Sequence, residues 1–89
     1  MKEKFLIRMM TWEKGKNYPT MIKAFYSEKI TELLNLYLAA KSNDILIDIP
    51  VEEDGKSKFD GHEAYVDEVR ITFGGHEAIT CLNVYVEVI

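Results

Sequence analysis

Two runs rich in β-branched and aromatic residues, 64–73 and 76–89, flank the pair Gly74 and Gly75. Glycine at both central positions supplies the positive φ angles that tight hairpin turns demand, so this stretch predicts an antiparallel hairpin. A lone hairpin is not stable in water and needs more strands or a helix on its apolar face. The rest of the chain must therefore provide that cover. This predicts an α+β fold in the order β-α-β-β-β: one amphipathic helix packed on a mainly antiparallel four- or five-stranded sheet. At 89 residues the chain is read as a single domain, because two cores would each be too small to offset the entropy of ordering.

Along the chain, residues 4–12 alternate as a first strand. Phe5, Ile7 and Met9 share one face, while Leu6, Arg8, Met10 and Trp12 share the other. Both faces carry apolar groups, so the second face is expected to be partly covered. Residues 13–17 read as a solvated turn with one glycine. A helix is predicted over residues 17–41, with Pro19 in its first turn and Asn17 or Thr20 as the cap. Ile22, Tyr26, Ile30, Leu33, Tyr37 and Ala40 form its apolar stripe, widened by Leu34 and Leu38 on one side and by Phe25 and Leu36 on the other. A break near Ser27, giving two shorter helices, is the alternative.

Ile45, Ile47 and Ile49 predict a second strand, which Pro50 ends. It is expected to follow the helix either in a parallel crossover or at the start of an antiparallel meander. Asp54-Gly55 and Asp60-Gly61 are turn pairs that bracket a short edge strand around Lys58. For the hairpin, a two-residue turn opposes Phe73 to His76, Val69 to Thr80 and Tyr65 to Val84. That register puts Tyr65, Asp67, Val69 and Ile71 on one face against Thr80, Leu82, Val84 and Val86.

Candidate chemistry is sparse. Cys81 is the single cysteine, so neither an intrachain disulfide nor a multi-cysteine metal site can form. His62-Glu63 and His76-Glu77 follow successive turns of a meander, which lie at opposite sheet ends and do not converge on a metal. The run Glu52-Glu53-Asp54 lacks the further oxygen ligands of a hard-cation site. Asp67, on an otherwise apolar face, would have to be hydrogen-bonded or protonated if buried, and a minimal enzyme centred on it is the third reading of the chain. No cofactor or metal is expected.

The functional expectation is a noncatalytic protein-interaction domain with a regulatory or accessory role, binding a protein partner or itself as a homodimer. It rests on the wide helical arc, with Phe25, Leu34 and Leu38 as binding residues. The alternative is a nucleic-acid-binding regulator in which Lys14, Lys16 and Lys23 at the helix entrance meet phosphates while Trp12 and Tyr18 stack on bases. The net charge of −4 argues mildly against the alternative. No apolar run reaches the ~20 residues that cross a bilayer, and the opening residues do not form a secretory leader. No membrane association and a cytoplasmic location are the expectations.

Overall fold

The structure is a computed structural model and describes residues 5–51, 58–73 and 80–89. In chain order the elements are β1 (Phe5–Thr11), β2 (Thr20–Ser27), α1 (Ile30–Asn43), β3 (Leu46–Asp48), β4 (Glu63–Thr72) and β5 (Cys81–Val88). The strands form one sheet in the order β2-β1-β5-β4-β3. Neighbours β1 and β5 run parallel, and every other adjacent pair is antiparallel. The sheet curls as a half-barrel around α1, which packs mainly against β4. A helix on a mainly antiparallel five-stranded sheet is the fold expected from the sequence, with one strand added before the helix.

That added strand corrects the helix predicted over residues 17–41. Gly15, at φ 88°, lets the chain reverse after β1. β2 then pairs along all of β1, from Phe5 opposite Ser27 to Thr11 opposite Thr20. Helix preferences differ by only a few tenths of a kcal/mol per residue, whereas an unpaired β1 would leave a row of backbone groups without partners. Pairing wins. The chain does break near Ser27, whose Oγ accepts a 3.0 Å hydrogen bond from the Lys29 N–H at the start of α1. Neither Asn17 nor Thr20 caps the helix. At the other end Asp44 takes a left-handed conformation, φ 52°, and the Ile45 N–H donates back to the Ala40 carbonyl at 3.0 Å.

The helix carries the chain from the β2 edge to the opposite edge, where β3 pairs antiparallel with β4. No parallel crossover joins β1 to β3; the parallel neighbour of β1 is β5. Ile7 and Met9 of β1 and Leu82, Val84 and Val86 of β5 are almost wholly buried, as their period-two alternation predicts. Tyr37 and Ala40 cover them from the helix, with Ile30, Leu33 and Leu34 half-buried beside them.

Two β-bulges decide which side chains enter the core. In β4, Val66 opposes Val86 but Glu68 opposes Tyr85, so Asp67 is the extra residue. Ala64 and Val66 therefore face inward before the bulge and Val69 after it. Asp67 does not share an apolar face with Val69; it is exposed to solvent. The hairpin register is also corrected. Val69 opposes Val84 rather than Thr80, and Thr72 opposes Cys81. From Glu68 to Thr72 the displacement is four residues, so Val69 still faces Val84, but before the bulge it is three, and Tyr65 opposes Glu87 on the outer face instead of Val84 on the inner one. His76 and Glu77 lie outside the described residues.

The second bulge, in β2, leaves Ile22 unpaired between Met21 opposite Met10 and Lys23 opposite Met9. Ile22 and Lys23 are consecutive, yet both are buried. The Lys23 ammonium lies 2.7 Å from Asp60 Oδ1 and also donates to the Pro50 carbonyl. Asp60 belongs to the turn at residues 58–61, where a short edge strand had been expected around Lys58. Lys58 in turn lies 3.5 Å from Glu13. The β3–β4 connection is thus tied to the first hairpin across the mouth of the half-barrel. Glu52, Glu53, Asp54 and Gly55 lie outside the described residues.

Candidate interaction surfaces

Of the lysine and aromatic residues predicted to form a patch, Trp12, Lys14, Lys16 and Tyr18 share the β1–β2 connection and Lys23 is removed from them. Lys14 and Lys16 lie in the β1–β2 connection and are exposed, as are Trp12 and Tyr18. Lys16 is 3.0 Å from the Glu13 carboxylate and 5.9 Å from the centre of the Tyr18 ring. Its hydrogen bond holds the Glu13 carboxyl below the usual carboxylate range. Lys23 points to the core side of β2 and lies nowhere near a helix entrance, which corrects its place in that patch. The three lysines do not share a surface.

The wide helical arc is likewise divided. Phe25 is a strand residue opposite Ile7, half-buried against the core. Leu34 packs on the core from α1, and Leu38 and Leu36 remain exposed on the helix.

The candidate catalytic groups do not converge. Asp67 is the exposed bulge residue. His62 is exposed and meets the Phe59 ring edge-on, with ring centres 6.3 Å apart. Cys81 is buried, its thiol donates to Asn83 Oδ1 at 3.5 Å, and the residue opposite it is Thr72. Among the described residues no group of three or more His, Cys, Asp or Glu side chains could hold a metal ion.

Two other surfaces stand out. The first is the sheet face turned away from α1. Strand pairing sets its side chains in rows: Tyr26, Leu6, Cys81 and Thr72; then Ala24, Arg8, Asn83 and Arg70; then Met21, Met10, Tyr85 and Glu68. The next row holds Glu87, Tyr65 and Leu46. Met21 and Tyr26 are more than half exposed, and Leu6, Met10 and Tyr85 are half-buried. Asn83 is buried at the centre and reaches Thr72 Oγ1 at 3.3 Å. Arg70 bonds Glu68 at 2.8 Å and lies 5.9 Å from the Tyr85 ring centre. The Arg8 guanidinium is exposed beside Asn83. No described element covers this face.

The second surface is an apolar cleft of about 420 Å³ between the C-terminal half of α1 and edge strand β3, lined chiefly by Leu33, Leu36, Tyr37, Ile45, Leu46 and Pro50. Burial pushes the Tyr37 phenol above its ordinary pKa.

No family model, curated protein or solved structure matches the chain. No helix among the described residues is long and apolar enough to cross a membrane. Sequence reasoning saw that β1 has two apolar faces but missed Arg8 and Arg70. For Arg8 the signal was the alternation Leu6-Arg8-Met10, which places a cation between two apolar neighbours.

Proposed function

We propose that this chain is a noncatalytic protein-interaction domain that associates with a second copy of itself through the open face of its sheet. The observation that supports this reading is the row order on that face. Leu6, Met10, Met21, Tyr26 and Tyr85 make it apolar and aromatic, a composition typical of interface centres. A row with Arg8 and Arg70 lies on one side of the Met10–Tyr85 row, and the row with Glu87 lies on the other. A two-fold axis along the Met10–Tyr85 row sets the arginine row of one copy over the glutamate row of its partner. Isologous contacts need this kind of self-complementarity.

The test is solution mass by light scattering over a concentration series. The expected result is a rise from 10.3 kDa toward twice that mass. Arg8→Glu and Met21→Lys, both at exposed positions, are expected to hold the chain at the monomer mass. A parent chain that stays monomeric throughout would sink the self-association reading. Burial of Lys23 takes one of the three lysines out of the nucleic-acid alternative and leaves Lys14, Lys16, Trp12 and Tyr18 exposed in the β1–β2 connection.

A further inference from the structure

We infer that the cleft between α1 and β3 is a docking groove for an extended polypeptide of alternating apolar and basic residues, which adds as a sixth strand at the β3 edge. This goes beyond the proposed self-association: the groove lies at the β3 edge and shares only Leu46 with the open sheet face.

β3 is a terminal strand, with β4 on one side and no described strand on the other. The Ile49 N–H donates to the His62 carbonyl on the β4 side at 2.9 Å. In an antiparallel ladder this orientation alternates, so the N–H and C=O groups of Leu46 and Asp48 turn toward the free edge. Such an edge is a template for another strand. Here it lies beside a preformed apolar cleft under Leu33, Leu36 and Tyr37. A strand added at this edge sends every second side chain into that cleft, and these must be apolar.

The intervening side chains fall on the outer face beside Leu46 and Asp48. Among the described residues, the charged side chains flanking this outer edge are acidic. Asp48 lines the cleft and opposes Glu63 across the β3–β4 pair, and Asp44 closes α1 at the same end. Asp44 also sits at the negative end of the helix dipole. Lys41, in the last turn of α1, is not among the cleft-lining residues. Lysine or arginine opposite Asp48 is therefore favoured, as oppositely charged cross-strand pairs are. The same acids select against a second copy. Pairing β3 with β3 about Ile47 would set Asp48 of each chain diagonal to Asp44 and Asp48 of the other, and like charges there repel.

The probe is a fluorescein-labelled heptapeptide, Lys-Val-Lys-Ile-Lys-Val-Lys, read by fluorescence anisotropy. A block peptide of the same composition, with all lysines first, is the control. The alternating peptide is expected to bind saturably and about tenfold more tightly than the block peptide, and Asp48→Lys or Leu36→Glu to weaken it by about tenfold each. Amide exchange at Leu46 and Asp48 is expected to slow in the complex. Equal binding of the two peptides would reveal nonspecific charge attraction and overturn the inference. Failure to saturate, indifference to Asp48→Lys, or protection absent from the β3 amides would overturn it as well. Both substituted positions are exposed, so their variants are expected to fold; circular dichroism checks this before binding is measured.

Discussion

The ammonium of Lys23 and the carboxylate of Asp60 meet at 2.7 Å with their side chains only 4% and 14% exposed. They join an edge strand of the sheet to the connection that follows the opposite edge, so the ion pair fastens the curl of the half-barrel. Removing one member of a buried pair leaves the other charge poorly solvated. Lys23→Met is expected to cost about 3 kcal/mol, read as a lower urea midpoint. Adding Asp60→Asn is expected to return about half of that loss, because no full charge then stays buried. A double variant no more stable than the single one would show that packing, not charge, dominates at this site.

Tyr37 gives the fold a weakness in alkali. Burial raises its folded-state pKa above the ordinary value of 10.0, so the folded chain holds the phenol proton more tightly than the unfolded chain does. The stability tied to that proton is fully present below pH 10 and is lost as pH rises through the folded-state pKa. Tyr37→Phe is expected to flatten the fall in urea midpoint between about pH 9 and about pH 12. An unchanged slope would place the alkaline loss elsewhere.

Position in the sheet ranks the apolar side chains. Leu82 is fully buried on the central strand, whereas Trp12 is 58% exposed. Leu82→Ala is expected to destabilise by about 3–5 kcal/mol. Trp12→Ala is expected to change stability by less than about 0.5 kcal/mol. Denaturant titrations of both variants check the contrast. A large loss at Trp12 would mean that the ring supports the fold.

Asp44 ends α1 with φ 52°, a conformation that costs a residue with a Cβ and suits glycine. Asp44→Gly is expected to stabilise the chain by about 0.5–1 kcal/mol. A thermal midpoint that rises by a few degrees would agree, and a fall would show that the carboxylate contributes more than the backbone strain removes.

Both faces of β1, the inward row Leu82-Val84-Val86 of β5 and the stop at Pro50 were legible in the sequence, because alternation and missing backbone donors act over a few residues. The helix was legible only from Ile30 onward. Between Thr20 and Ser27 the same residues satisfy a helical stripe and a strand, and pairing with β1 is what selects the strand. Of the candidate site, Trp12, Tyr18 and Leu38 are exposed, and Lys23 and Phe25 changed roles once their segment became a strand.

By itself, then, the sequence determined the α+β class, the apolar rows of β1 and β5, and the absence of any second cysteine. Those features follow from local period and composition. Only the tertiary structure decided that β5 lies at the centre of the sheet, that a bulge turns Asp67 to solvent, and that Lys23 is buried against Asp60. Bulges and strand order depend on contacts between residues far apart in the chain, and a change of one residue in pairing exchanges the two faces of a strand.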